Sequence, residues 1–316
     1  MFQRDISQDS VLVEIYKLLS EYDSADLLAT FAALQLCPEN ADHTMRLDAL
    51  SHITTCLHPE PDKKRISRHK LNRVCNFEPI GNSFIKSSED PCDVPFTEAF
   101  TFFGGSYIVF PGIAQDVVFA LKHLAAAIFL LPEFKKQNKP FVDEVYNLIL
   151  PTLILSNEIA RRAGLERNIA PKYYPNNIYI PVDLNAKKDA VIFSAVDLVK
   201  LLFPHNLSID NLSPFIQKFG ELKVESYSLD NTPLHKRPII QHGNQFIVSE
   251  PGILLASLRY QILLRVKEAN LLELLAGEYQ ASVKSTVEKS LNMFSLKPAP
   301  FPFPRPNEKL FLTDIL

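Results

Sequence analysis

Apolar positions repeat at helical spacing along most of this chain, and only short stretches alternate as strands do. "DSVLVEIYKLLSEY" sets Val11, Ile15, Leu18 and Leu19 on one face, behind an Asp9-Ser10 start that suits an N-cap. "SADLLATFAALQL" repeats the pattern from a Ser24 cap. "FTEAFTFFGGSYIVF" reads as two β-favouring runs joined at Gly104-Gly105, where both residues tolerate positive φ. "RPIIQ" and "QFIVSE" are short strands around His242-Gly243-Asn244. The pattern predicts an α+β fold, predominantly helical, with two β-hairpin–helix units.

The two units echo each other. "GGSYIVFPGIAQDVVFALKHL", from Gly104 to Leu124, parallels "GNQFIVSEPGILLASLRYQIL", from Gly243 to Leu263. Each shared residue has a folding reason. Pro111 and Pro251 suit the first helical position, with Ser249 or Glu250 as a cap in the second copy. A phosphate-cradling loop needs more glycine, and the Walker Lys-Ser/Thr is missing from both copies. The echo is read as one folding device used twice, reflecting two related halves.

Elsewhere, "PFVDEVYNLILPTLILSNEIARRAGL" predicts a long helix kinked or broken at Pro151 and stopped by Gly164. "APKYYPNNIYIPVDL" is extended, and "KKDAVIFSAVDLVKLLF" predicts a strand, a Ser194 cap and a helix. "NLLELLAGEYQASVKSTVEKSLNMF" supplies a final long helix, and "KPAPFPFPRP" suits polyproline II. "NEKLFLTDIL" either pairs back on the body or opens a further module.

Composition divides the chain into an acidic helical region at 1-60, then a basic segment, hairpin and long helices at 61-165. A second strand and hairpin–helix region follows at 166-296, with a proline-rich tail at 297-316. The first region carries ten Asp or Glu against three Lys or Arg, whereas "KKRISRHKLNR" carries six Lys or Arg and no acid. A composition of 47% hydrophobic and 22% charged residues is that of a globular chain, and a net charge of −3 argues against a generally basic nucleic-acid coat.

Met1 to Gln8 has no apolar core, so no signal peptide is read. Ile113 to Leu131 is long enough to span a bilayer, but Asp116, Lys122 and His123 interrupt it, and a buried helix is expected instead. Cys37, Cys56, Cys75 and Cys92 form no C-x-x-C pair and read as reduced thiols of a cytoplasmic protein. No cofactor and no metal site is expected.

Three groups of residues carry candidate chemistry. Lys63, Lys64, Arg65, Arg68, Lys70 and Arg73 suit phosphate contacts, although the acidic first region offers intramolecular partners and no aromatic is present to stack bases. Glu221-Leu222-Lys223 matches the E-x-K element of PD-(D/E)xK nucleases, with Asp210 as first carboxylate and "ELKVESYSL" as the strand. "IDNLSPFIQKF" around Asp210 nevertheless reads as helix or turn. Glu278 is a helix-borne acid with Lys284 and Lys289 nearby. The scattered histidines, among them His52, His58, His235 and His242, form no metal motif, and no serine sits in G-x-S-x-G.

"SSEDPCDVPFTEAFTFFGGSYIVFPG", "RPIIQHGNQFIVSEPGILLASLRYQIL" and "AGEYQASVKSTVEKSL" resemble the N-terminal regions of long uncharacterised bacterial proteins associated with nuclease-related modules. The resemblance implies a scaffold, sensor or interaction region of a bacterial nuclease-type system, serving defence against phage, without catalysis in this chain alone. It also implies a protein partner or a further C-terminal module. The alternatives are a metal-dependent nuclease using Asp210, Glu221 and Lys223, or a nucleic-acid-binding module; no membrane role is expected.

Overall fold

A computed structural model describes residues 6–60, 62–76, 98–110, 115–130, 138–165, 177–227 and 232–293. Its fold is α+β and mainly helical, with a two-stranded and a four-stranded sheet. Contacts group the chain into two compact units: 1–118 with 146–261, and 119–145 with 262–316. Each unit joins segments distant in sequence.

The first unit is built around α1 (Ile6–Leu19), α2 (Ser24–Gln35) and α3 (Thr44–Thr55). Helix α1 has already begun at Ile6, ahead of the expected Asp9-Ser10 start. The cap of α2 is Asp23 rather than Ser24: its Oδ1 accepts from the backbone N–H of Ala25 and Asp26. Helix α2 is apolar all round and accordingly buried, with Leu27, Leu28, Phe31 and Leu34 fully enclosed. Each such side chain contributes roughly 1.5–3 kcal/mol. Helix α3 is equally buried yet carries Asp48, Ser51 and His52, which therefore need internal partners. Helix α4 (Arg68–Cys75) follows, capped by Ser67.

Strands β1 (Glu98–Phe102) and β2 (Gly105–Val109) form the first hairpin. Its turn lies one residue earlier than expected, at Phe103-Gly104 with φ of 47° and 80°, while Gly105 pairs with Phe102. The 15-residue α5 (Gln115–Phe129) follows; Pro111, its expected first residue, lies outside the described residues. Helix α6 (Lys139–Ala163) is continuous through Pro151, correcting the expected break. Proline removes only the bond to the Asn147 carbonyl, and buried Leu150, Leu153 and Ile154 hold the helix together around it. Gly164 ends α6 as expected: at φ 67° its N–H reaches the Arg161 carbonyl, while that of Leu165 reaches Ala160.

The second half of this unit holds α7 (Leu184–Val191), β3 (Ile192–Ser194), α8 (Ala195–Leu202), β4 (Ile216–Lys218), α9 (Pro233–Lys236), β5 (Ile239–His242) and β6 (Gln245–Val248). The Ser194 cap is confirmed, completed into a capping box by Asp197. The sheet order is β3-β6-β5-β4, with β4 parallel to β5 and the other neighbours antiparallel. Arg162 of α6 donates to the Ile192 carbonyl and lies 4.4 Å from the centre of the Phe193 ring, fastening β3. In the second hairpin the turn is Gly243-Asn244, as expected. Pro251 does not open the next helix. Pro251–Ile253 form a turn, and α10 begins at Leu254 and ends at Glu268.

Within the second unit, the end of α10 and α11 (Leu272–Met293) pack with segments 119–129 and 139–145. The His123 ring pairs with the Ser282 hydroxyl at 2.9 Å and lies edge-on to Tyr279. Arg265 bridges Glu144 and Glu268.

Candidate docking surfaces and a buried polar centre

The basic segment is only partly available to a ligand. Lys63 pairs with Glu60 at 3.0 Å, and Arg65 lies 3.9 Å from Asp26, which also holds Lys188. Arg68 donates to the carbonyls of Ile180 and Pro181, so its guanidinium pins the 177–183 segment. Asn40 and Asn76 grip the same segment through Tyr179 and Ile178. Lys64, Lys70 and Arg73 are exposed and have no ion-pair partner among the described residues.

The E-x-K stretch is not the expected strand. Strand β4 stops at Lys218, and Gly220, at φ 76°, turns the chain against His58, whose ring would lie 2.3 Å from any Cβ added there. Glu221 and Lys223 are exposed in the resulting turn, just before a 3-10 turn at Val224–Ser226. Asp210 lies in another 3-10 helix, Ile209–Phe215, its carboxylate accepting from Ser208. No strand presents these three side chains together. Among the described residues no three His, Cys, Asp or Glu side chains converge as a metal site. Glu278 is half-buried on α11, and Lys284 is paired with Glu288. Burial pushes the thiols of Cys37, Cys56 and Cys75 up to about 12, which keeps them protonated and inert; Cys92 lies outside the described residues.

Asp48 and His52 of α3 find partners far along the chain. Asp48 accepts from His235 Nε2 at 2.9 Å and from the Tyr227 hydroxyl at 3.2 Å. His52 Nε2 donates to the Lys223 carbonyl at 3.1 Å, which leaves Nδ1 to accept from the Thr232 hydroxyl at 2.8 Å. Burial lowers the proton affinity of His52, in keeping with this neutral tautomer. Burial and then the Asp48 charge raise the Tyr227 phenol. The Ser257 hydroxyl donates to the His235 carbonyl. Glu250, two residues after β6, is 2% exposed, and burial and then the Asp48 charge hold its carboxyl well above the usual carboxylate range.

This centre resembles an acid–base constellation in its residue types, yet Asp48, His52, Tyr227, Thr232 and His235 are all engaged in fastening α3 to residues far along the chain. Sequence reasoning missed it because its members are isolated polar residues in separate elements. One signal was available: Glu250 stands within the apolar run "FIVSEPGILL", where an acid has to be buried and therefore protonated or paired.

The second missed feature is an exposed apolar stripe along α8 and into the 3-10 turn Phe203–His205 that follows it. Leu198 and Leu202 face the core, while Val196, Val199 and Phe203 are 60%, 49% and 74% exposed. Spacings of three and four residues put the last three on one face. Lys200 and His205, both exposed, border them. "AVDLVKLLF" is apolar around most of its circumference, which is the sequence signature of such a helix. No helix among the described residues is long and apolar enough to cross a membrane.

No family model matches this chain, and no curated protein or solved structure shows significant similarity to it.

Proposed function

We propose that this chain is a non-catalytic interaction region of a bacterial nuclease-type system in antiviral defence, one that holds a protein partner. The observation that carries this reading is the stripe of Val196, Val199 and Phe203. Exposed side chains gathered on the capped helix α8 and at the start of the 3-10 turn Phe203–His205 after it form the kind of patch that marks a protein–protein contact, with Phe203 as its aromatic anchor. Lys200 and His205 beside the stripe favour an apolar partner segment flanked by carboxylates.

A phage-displayed library of short peptides, panned on the parent chain, tests this. The enriched peptides are expected to carry helically spaced apolar residues with neighbouring Asp or Glu. Phe203→Ser is expected to weaken them about tenfold or more, equivalent to about 1.4 kcal/mol. Enrichment that is indifferent to Phe203 rejects the surface. A parent that sediments as a dimer, made monomeric by Phe203→Ser, assigns the stripe to a second copy instead.

A second reading rests on Lys64, Lys70 and Arg73, which are exposed together at α4 and the segment before it. Three phosphate contacts give log affinity against log salt a slope of about −3 on duplex DNA. Lys70→Glu with Arg73→Glu should flatten that slope, and a salt-independent affinity removes this reading.

A further inference from the structure

His52 is fully buried on α3, with both ring nitrogens committed. Its Nε2 donates to the Lys223 carbonyl, just before the Val224–Ser226 turn, and its Nδ1 accepts from the Thr232 hydroxyl. Thr232 directly precedes α9, yet its hydroxyl makes no cap bond there and serves His52 instead. Other titratable groups surround the ring. Asp48 lies one turn earlier on α3, His235 lies on α9, and the centre of the Tyr227 ring is 5.3 Å away. Both Asp48 oxygens are already engaged, Oδ1 by His235 and Oδ2 by Tyr227. Beyond them Glu250 interacts with Asp48, while Lys223 and Glu225 are exposed.

We propose that His52 is an acid-operated catch, which holds the Val224–Ser226 turn and α9 on α3 while its ring is neutral and lets them go when the ring takes a proton. The proton enters at Nδ1, because Nε2 already carries one. The new N–H then faces the Thr232 hydroxyl, which has to turn round to accept it and leaves its own proton without that acceptor. The ring also becomes a cation sealed from water, which burial disfavours. Release of the turn and α9 relieves both penalties by letting water reach the ring. Released, His52 protonates near the ordinary histidine value of about 6.5. Held, it protonates only at lower pH, because burial lowers its proton affinity. The grip is therefore complete above about pH 6.5 and loosens by up to about tenfold per pH unit as the pH falls below it.

The test is amide hydrogen exchange of the full chain on either side of that pH, corrected for the intrinsic exchange rate. The amides of Tyr227 and His235, bonded to the carbonyls of Val224 and Thr232, report release. Those of β5 and β6 report opening of the whole unit. On acidification, exchange at Tyr227 and His235 is expected to quicken by up to about tenfold per pH unit, with β5 and β6 unchanged. His52→Gln, whose amide keeps a donor and an acceptor but takes no proton, is expected to abolish the rise. No rise, an equal rise in β5 and β6, or a rise that survives in His52→Gln overturns the catch. Should the variant fail to fold, the ring-nitrogen chemical shifts of His52 in the parent decide. They are expected to show a neutral ring, protonated at Nε2, that gains its second proton as exchange quickens. A ring charged throughout, or neutral throughout, overturns the catch.

Discussion

The two hairpin–helix copies start from nearly the same residues and end in different surroundings. In the first, β1 and β2 pair with each other and with no further strand among the described residues. A two-stranded ribbon is marginal alone, and this one leans on α6, where Asn157 Oδ1 and Ser156 Oγ accept from the backbone N–H of Ile108 and Phe110. In the second, β5 and β6 lie between β4 and β3, and Ile240 and Ile247 are enclosed. The second copy also has one extra residue before its proline, and that residue is Glu250. The shared letters fix a turn and a change of direction. They do not fix how deeply the ribbon is buried, because burial comes from the neighbours.

The sharpest way to break this comparison is to truncate matched isoleucines. Ile247→Ala should cost about 2–5 kcal/mol as a core cavity, whereas half-buried Ile108→Ala should cost about 1 kcal/mol. Urea denaturation measures both, and equal losses would erase the distinction between buried and leaning hairpins.

The extra residue of the second copy should show itself in pH dependence. The folded carboxyl of Glu250 holds its proton above the ordinary glutamate value of about 4.3, so the folded state binds more protons than the unfolded state over that window. Its contribution is therefore fully favourable below that value and is lost as pH rises. The slope can reach about 1.4 kcal/mol per pH unit. Glu250→Gln should remove this component of the slope between mildly acid and alkaline pH. An unchanged slope would mean that Glu250 ionises freely.

Asn157→Ala tests the leaning copy alone. It leaves the Ile108 N–H without its acceptor and should cost about 1–2 kcal/mol, seen as faster amide exchange confined to β1 and β2. Loss of protection spread evenly through β5 and β6 would contradict this assignment.

The smallest effect should be the same in both copies. Gly104 and Gly243 both have positive φ with open space around an added Cβ, so only backbone strain opposes alanine. Each Gly→Ala change should cost about 1 kcal/mol in thermal unfolding. A much larger cost at Gly243 would show that the second turn is packed as well as strained.

The hairpins, the Ser194 cap and the Gly164 stop were legible because a few adjacent residues settle their energies. Errors of one to three residues arose where two neighbours could do the same job. Asp23 and Ser24 can both cap, Gly104 can turn with either neighbour, and Pro251 suits a turn as well as a first helical position. "ELKVESYSL" misled for a different reason: its alternation is real, but Gly220 turns the chain beside His58, and the stretch joins no sheet. Of the candidate sites, the basic segment was legible as charge alone, and only the partners of Lys63, Arg65 and Arg68 show how much of it is already engaged.

By itself, then, the sequence determined the mainly helical α+β character, most helices and both chain reversals, because periodicity, capping and turn conformation act within a few residues. Tertiary structure decided the rest. It carried α6 through Pro151 by packing on both sides of it, and set one hairpin inside a larger sheet. It left Val196 and Val199 of α8, and Phe203 just after it, uncovered. It also joined Asp48 to His235 across 187 positions and His52 to Thr232 across 180. Contacts at such separations form only when buried polar groups must find partners inside a collapsed core, and no local pattern records which partner each one takes.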